Sequence, residues 1–494
     1  MKAARVAVVV LLGLVALGAY AFAQQWMKGD AVADLHTIGA GGVVWGLYVV
    51  GDGFFASVAL ASLTVACVIR VRRVREMESV VRIALSVGVA GLLASLACVL
   101  ADLGRPLAAT VNLPLVGRPR SPLFWTFTLV VGASLFASLV HLALASRPGW
   151  AARIQEGKWP GFWRCLARGW QGTPSAKRRR ERVDFWLSLA LLPLLLGGLV
   201  ILGVVFGVRA GRPGWQGGLE VASFVVSGGA AGCSLLWLAL AGHAPRASVT
   251  MARALAVLTG LTVLFVVSGE VLALRVPYLS VQRYARALLD GPWSGFFWAE
   301  LVFFLAGIVC VAAAWRKTVS FGWAAIAALL VCAAVFLQRF LVLVAWQTHG
   351  LGLPWPAGTY HPSRIEWSVL AGAAAAAVLV FLLLAKVCPA GTESASEMSG
   401  HDHDLSQLAR DYGDRRRLLA TGACLILGLA GAGVGLALSA GFASAPFLDP
   451  ILPGSPLVFL AGLFLMLSAP LAYELIPERK VPGEDTPPPH LPQE

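Results

Sequence analysis

The chain alternates long apolar runs with short polar segments over most of its length. Twelve of these runs are close to the roughly 20 residues that an α-helix needs to cross about 30 Å of hydrocarbon. Unbroken runs of this length exclude the alternating pattern of a transmembrane barrel. The pattern therefore predicts an all-α polytopic membrane protein with about 12 transmembrane helices. The predicted spans are 6–22, 42–68, 80–100, 123–145, 185–208, 221–241, 251–274, 295–314, 321–345, 367–386, 418–439 and 456–475.

Composition and charge agree with a membrane protein. Hydrophobic residues make up 58% of the 494 residues, and charged residues only 13%. The net charge of +13 would suggest nucleic acid as the partner of a soluble protein. Here lysine and arginine fall mostly in alternate connecting segments, as the positive-inside rule requires. We therefore exclude nucleic acid and predict a multi-pass protein of a bacterial inner membrane with both termini in the cytoplasm. Membrane lipid is an expected partner, above all at the basic segment 147–184.

The two ends of the chain differ from its centre. The first run ends in Ala21-Phe22-Ala23, which resembles a signal-peptidase site, but the run is long for a signal peptide and favours an uncleaved helix. Residues 389–417 are Gly-, Ser- and Glu-rich and indicate a solvated cytoplasmic linker, with metal binding at His401 and His403 as the alternative. The predicted organisation is a first transmembrane helix and outer loop (1–41), a membrane domain (42–388), the linker (389–417), an additional helix pair (418–477) and a disordered tail (478–494).

The sequence predicts no redox cofactor within this chain. The eight cysteines include no CxxC pair, whereas an iron–sulfur cluster needs grouped thiolates. Most of them lie singly in apolar runs, as buried small hydrophobes do. A haem with two histidine ligands would need facing histidines in the spans, and only His141 lies clearly within one. No metal site is predicted either.

Ionisable side chains within the predicted spans are the strongest functional signal, because such groups are costly in a membrane. The helical rise places six of them in the outer half of the bundle. His141 is the exception, on the inner side of the fourth span. A cluster of this kind indicates paired charges or protonated carboxyls, and a purely structural network is the alternative. The six outer residues are Asp52, Asp102, Glu270, Glu300, Arg339 and Glu366.

Three side chains of the second span form a candidate site. Trp45, Tyr48 and Asp52 are spaced i, i+3 and i+7, which places them on one helical face. Asp52 would lie about 15 Å below the outer end of its run. It must therefore be protonated, paired or hydrated, with Arg339 as one candidate partner. Carboxylates near a membrane face can act as bases toward a substrate that releases protons when it is oxidised. We predict Asp52, Glu270 and Glu300 as those catalytic bases.

The segment 101–127 connects the third and fourth spans and is rich in Gly, Pro and Arg. It begins with DLGRP from Asp102 and returns to apolar sequence at SPLFW from Ser121. Helix–loop–helix is the plain interpretation. Arg105 can interact with the helix C-terminus and with Asp102 at i, i+3. The segment is either an ordinary hairpin with interfacial anchors or a functional mouth at the membrane surface.

DLGRP and SPLFW, with three other motifs in the same order, resemble the membrane subunits of the polysulfide reductase superfamily, the NrfD-like proteins. The other motifs are WGLY from Trp45, RPGW from Arg212 and YHPSRIE from Tyr360. Together the motifs cover roughly residues 40–390. The length is similar to that of the ten-helix branch of the family, with extra C-terminal helices.

The resemblance implies a core of two four-helix bundles, with further helices outside them. It also implies a quinone-interacting anchor subunit of a multisubunit respiratory oxidoreductase, with menaquinone or ubiquinone as bound substrate. The expected partner is a four-cluster ferredoxin-like iron–sulfur subunit on the outer face, connected to a molybdopterin enzyme, a hydrogenase or a multihaem cytochrome. The residues expected at the quinone are Trp45, Tyr48, Asp52, Asp102 and Arg105, while Arg339, Glu366 and His141 are expected to be structural or to form a proton path.

One segment departs from the family pattern. Many members of the longer branch carry a His-Ser-Val run midway along the helix before the Pro-Gly-Trp motif. Here the corresponding residues, Leu199-Val200-Ile201, are apolar. If that histidine handles protons in relatives, this chain must use another route or has lost the step.

Two other functions stay open at this point. A secondary transporter would suit twelve spans and a charged cluster, although no internal repeat of the kind common in transporters is evident. A passive membrane anchor would need its acidic residues only for structure. Binding of a quinone analogue separates the quinone-interacting protein from both.

Overall fold

The computed structural model is helical throughout its described residues, which are 2–29, 43, 45–74, 77–103, 122–155, 159–168, 170, 172–207, 218–241, 245–316, 321–348, 360–388 and parts of 423–431. Ten helices within these ranges are long and apolar enough to cross a membrane, and they match the first ten predicted spans. The two last predicted spans lie outside the described residues, apart from the few positions in 423–431. The helices are α1 (Lys2–Lys28), α2 (Leu47–Arg72), α3 (Glu78–Asp102), α4 (Pro122–Gln155), α5 (Pro160–Ala167), α6 (Pro174–Gly207), α7 (Gly218–Leu240), α8 (Pro245–Ala273), α9 (Leu279–Leu289), α10 (Ser294–Arg316), α11 (Phe321–Phe340) and α12 (Arg364–Val387).

The core consists of two four-helix bundles, as predicted. In the first bundle, α2 packs against α3 and α6, and α4 closes the ring by packing against the same two helices. In the second bundle, α7 packs against α8 and α11, and α10 closes the ring in the same way. Helices α2 and α6 also contact α7, so the two bundles share one continuous buried core.

The bundles have two chemically different ends. The end at which α2 and α4 finish and α3 and α6 begin carries Arg70, Arg153 and the run Lys177–Arg182; we call it the basic end. The opposite end carries Asp52, Glu220 and Glu366, and we call it the acidic end. α5 lies at the basic end and α9 at the acidic end, and neither is long enough to span a membrane.

Helices α1 and α12 form a pair outside the two bundles, and α12 attaches this pair to α3. The two helices cross at Gly18 and Gly372. A Cβ atom added to Gly18 would lie 2.8 Å from the Cα atom of Gly372, so only glycine allows this approach. The first predicted span is therefore a packed element of the fold, continuous from Lys2 to Lys28.

We expect Gly18→Leu to displace α1 from α12, because the added side chain has no room between the two backbones. Overpacking of this kind costs about 1–3 kcal/mol, which lowers the midpoint of thermal unfolding of the purified protein. Gly13→Leu is the matched control, because an added Cβ at Gly13 meets nothing within 4 Å. Equal midpoints for the two variants would contradict the crossing.

Candidate functional site

Asp52 lies at the acidic end of the first bundle, at the meeting point of four helices. Its side chain is 4% exposed and accepts a hydrogen bond of 2.5 Å from the hydroxyl of Ser95 on α3. A Cβ atom added to the neighbouring Gly51 would lie 2.5 Å from Leu370 of α12, and one added to Gly53 would lie 3.8 Å from the Arg339 side chain of α11. The carboxylate is therefore enclosed by packed helices and held by a neutral donor.

Two details of the predicted quinol face are wrong. Helix α2 begins at Leu47, so Trp45 precedes the helix and does not share its face with Tyr48 and Asp52. Asp52 is five residues from the start of the helix, or about 7–8 Å, which is half the predicted depth. Arg339 was also a candidate partner of Asp52, but Asp52 accepts its hydrogen bond from Ser95. Arg339 donates to Gln338 of α11 and to the carbonyl of Phe224 on α7.

Tyr48 joins the first bundle to α1. Its hydroxyl donates to Oε1 of Gln25 at 2.7 Å, and Nε2 of Gln25 donates to the carbonyl of Ala101 at 3.1 Å. Tyr48 and Gln25 are both buried. This chain of bonds fixes the phenol between α1, α2 and the end of α3, where the half-buried Asp102 lies. The carboxylates of Asp52 and Asp102 are both within electrostatic range of Cys98 on α3.

Glu366 is fully buried and caps two helices at once. Its Oε2 accepts from the backbone N–H of Ser363, and Ser363 Oγ accepts from the N–H of Glu366, which forms a capping box at the start of α12. Its Oε1 accepts from the Tyr360 hydroxyl at 2.6 Å and from the N–H of Leu47 at 3.1 Å. A carboxylate at the first turn of α2 also suits the helix dipole. Glu366 thus has a structural role: it joins the start of α12 to the start of α2, the helix that carries Tyr48 and Asp52.

The backbone around Trp45 is held by Gln347, which follows a π-helical turn at the end of α11 (341–345). The side chain of Gln347 accepts from Trp45 N at 3.1 Å and donates to Trp45 O at 2.8 Å. Single π turns inside helices often occur at functional sites. Here the turn lies between Arg339 and Gln347, and so connects the second bundle to the residues at Asp52.

A second acidic group lies at the same end of the second bundle. Glu300 on α10 is 2% exposed and interacts electrostatically with Glu220 on α7, Glu270 on α8 and Arg339 on α11. Oε1 of Glu300 and Oε2 of Glu270 are buried and have no hydrogen-bond partner within the described part of the chain. Carboxyls from three helices therefore lie within electrostatic range of one another, and two of them, Glu220 and Glu300, also interact with Arg339.

Arg339 is held rigidly within this group. It donates to Oε1 of Gln338 at 2.9 Å, to the carbonyl of Phe224 at 2.8 Å and to Ser227 Oγ at 3.0 Å. The guanidinium also lies over the ring of Phe224, 3.7 Å from its centroid. Such a desolvated cation–π contact adds to the hydrogen bonds. The guanidinium of Arg339 is thus a positive charge that is fixed in position near the carboxyls.

Tyr284 of α9 covers the second acidic group from outside the membrane-spanning segments. Its hydroxyl donates to the carbonyl of Leu341 in the π turn at 3.4 Å. Burial, with the carboxylates of Glu270, Glu220 and Glu300, raises the pKa of Tyr284 well above its ordinary value. The phenol therefore remains a proton donor to the turn at physiological pH.

His141 lies away from both acidic groups, near the basic end of the first bundle. Its Nε2 atom is 3.9 Å from Oδ1 of Asp184 on α6. Asp184 is also 3.7 Å from Arg70 and 4.0 Å from Arg180, and Arg147 on α4 is within electrostatic range of it. His141 and Asp184 are both buried.

The structure thus divides the predicted site residues into three groups. The first group, around Asp52, consists of Trp45, Tyr48, Asp52, Asp102 and Glu366. The second group consists of Glu270, Glu300 and Arg339, and the third contains His141. Arg105 lies outside the described residues. The sequence analysis did not identify Gln25, Ser95, Glu220, Gln347, Tyr360 or Asp184. Glu220 and Asp184 each precede a predicted span by one residue, so extending those spans by one turn would have found them.

Comparisons with known proteins agree with the motifs. The profile of the polysulphide reductase NrfD family matches residues 37–349. The chain is also similar to a selenate reductase subunit of Mesobacillus selenatarsenatis, with 24% identity over 409 residues. That match covers 77% of this chain and 92% of the relative.

Proposed function

We propose that this chain, which belongs to the polysulphide reductase NrfD family, is the quinone-interacting membrane subunit of a respiratory oxidoreductase complex. The similarity to a subunit of a selenate reductase supports a role as one component of such a complex. We place the acidic end outside and the basic end in the cytoplasm of a bacterial inner membrane, as the distribution of lysine and arginine indicates. Menaquinone or ubiquinone is the substrate.

Asp52 is the observation that carries this proposal. A buried carboxylate in an apolar bundle is expensive, and Ser95 holds this one by a neutral hydrogen bond without cancelling a charge. It lies within about two helical turns of the acidic end. Such a group can take a proton from a quinol hydroxyl, with Ser95 fixing its orientation.

The electrons and protons of quinol then follow different routes. Oxidation of one quinol releases two electrons and two protons. The electrons pass to an iron–sulfur partner docked at the acidic end, which transfers them to a terminal oxidoreductase. In the reverse direction, the same residues supply the protons for reduction of quinone. The carboxylate of Asp52 accepts one proton, and the carboxylate of Glu300 accepts the other and passes it by way of Glu270 to the acidic-end surface. Glu220 belongs to the same acidic group as these two carboxyls.

The side chains of Trp45, Tyr48 and Asp102 line the quinone headgroup in this proposal, and Arg105 stays a prediction from the sequence. Tyr48 is oriented by Gln25, and Trp45 by the bonds of its backbone to Gln347. These supports keep the pocket organised before substrate enters, which lowers the cost of binding.

Binding of a quinone analogue to the purified complex tests the proposal. We expect saturable binding that Trp45→Ala weakens by roughly tenfold, since one aromatic contact contributes about 0.5–1.5 kcal/mol. Trp298→Ala is the matched control, because Trp298 is half exposed on the surface of α10. A complex without saturable binding would favour a passive anchor, and a chain that carries a solute across vesicles without redox partners would favour a transporter.

A further inference from the structure

The half of the first bundle nearest the basic end contains a polar face that quinone chemistry at Asp52 does not use. Ser134, Ser138 and His141 are spaced i, i+4 and i+7 on α4, so they share one side of that helix. Each of the three is 0% exposed. Along the helix they extend over about 10 Å.

The polar atoms of this face lack direct partners. Ser134 Oγ, Ser138 Oγ and both ring nitrogens of His141 are buried and make no hydrogen bond within the described residues. Each buried polar group left in this way costs about 1–3 kcal/mol. Helical serines commonly avoid that cost by bonding the carbonyl four residues earlier, as Ser146 of the same helix does. Buried polar groups without protein partners typically bind internal water.

Asp184 on α6 continues the polar face toward the basic end. It is 1% exposed, and the side chains of His141, Arg70 and Arg180 lie 3.9, 3.7 and 4.0 Å away. These distances are too long for direct hydrogen bonds and suit pairs that are bridged by water. Arg70 and Arg180 are each 12% exposed, so they extend this network to the surface at the basic end.

The opposite end of the face is closed. One turn beyond Ser134, Val130 packs against Gly198 of α6, and Leu60 of α2 fills the same space. An added Cβ at Gly198 would lie 2.8 Å from Val130 and 3.2 Å from Leu60. This apolar contact lies on the acidic-end side of Ser134, between the polar face and the end of the bundle that carries Asp52.

We propose that Ser134, Ser138, His141 and Asp184 line an internal water chain that gives protons from the basic end access to the middle of the first bundle. Asp184 and His141 exchange the proton with the surface, and the two serines carry it inward through water. The inference rests on the proposed function for the reaction that drives it. It adds to that function an exchange of protons with the basic-end compartment, and so a charge movement during quinone turnover.

Cysteine accessibility tests the water chain without any need for activity. A small charged methanethiosulfonate is added from the basic-end side to the full chain in membranes, with the eight native cysteines, among them the exposed Cys165 of α5, replaced by alanine. We expect Ser138→Cys to be modified and Ala137→Cys to remain unmodified, because Ala137 is buried in the apolar core beside it. Equal reaction of the two cysteines, or none at Ser138→Cys, would overturn the water chain.

Proton exchange tests its function in the reconstituted complex. We expect quinone turnover to change the pH of the basic-end compartment, and Asp184→Asn to abolish that change per quinone converted. Glu181→Gln is the control, because Glu181 is exposed on the same helix. If Asp184→Asn fails to assemble, His141→Gln is measured in its place. An unchanged proton yield in the assembled variant would overturn the inference. A wild-type complex without quinone turnover would instead refute the proposed function, and the cysteine result would still decide the water chain.

Discussion

Replacing Asp52 with asparagine should leave an assembled complex that binds quinone and turns it over about 10²–10⁴-fold more slowly, the usual effect of losing a general base. Asparagine has the size of aspartate, and its carbonyl oxygen can still accept the hydrogen bond from Ser95. The substitution therefore removes the base while it keeps the packing between α2 and α3. The measurement is the rate of quinol oxidation by the purified complex at saturating quinol.

Two further variants separate chemistry from structure at this position. Asp52→Glu keeps a carboxylate and should retain part of the rate. Asp290→Asn removes an exposed carboxylate at the acidic end and should leave the rate unchanged. Near-normal turnover by Asp52→Asn would remove Asp52 from the mechanism, and failure of assembly in Asp52→Ala alone would then assign it a structural role.

The spans of the fold were predictable because one physical rule dominates them. A helix that crosses lipid must present about 20 apolar residues, and the ten described helices match ten predicted runs. The helix ends were less predictable. Helix α4 continues to Gln155 and α6 begins at Pro174, each about ten residues beyond the predicted spans. Basic residues fill these extensions, so hydropathy ends the run before the helix does.

The same effect explains the missed members of the site. Asp184 and Glu220 each stand one residue before a predicted span, since the charge itself sets the boundary of an apolar run. Gln25 lies three residues after the first span, because polar residues also end an apolar run. These polar residues are inside the helices and buried or half-buried in the bundle. Hydropathy therefore leaves polar functional groups near helix ends outside the predicted spans.

Pairing within the site required the structure. The sequence offered Arg339 as a candidate partner of Asp52 because both lie in the same half of the bundle. Arg339 instead makes its bonds to Gln338, Phe224 and Ser227, and Ser95 contacts Asp52. The rotation of α11 about its axis decides between these arrangements, and a π turn over residues 341–345 follows Arg339 in the same helix. No local sequence pattern identified this turn.

Replacing Arg339 with glutamine should destabilise the second bundle strongly. Arg339 is 0% exposed, and it interacts electrostatically with Glu220 and Glu300. Removing one partner of a buried ion pair typically costs about 3–5 kcal/mol, because the remaining charge is left without compensation. We expect a lower midpoint of thermal unfolding and a lower yield of the assembled complex.

A double-mutant cycle then identifies the charge responsible. Glu220→Gln removes one of the carboxylates, so in the Arg339→Gln background it should recover part of the lost stability. The coupling energy expected for residues that interact in this way is about 0.5–3 kcal/mol. Glu181→Gln serves as the matched acid-to-amide control and should add independently, since Glu181 is exposed at the opposite end of the protein. If Glu220→Gln also adds independently, Arg339 stabilises α7 and α11 through its hydrogen bonds to Phe224 and Ser227, and the acidic group does not depend on its charge.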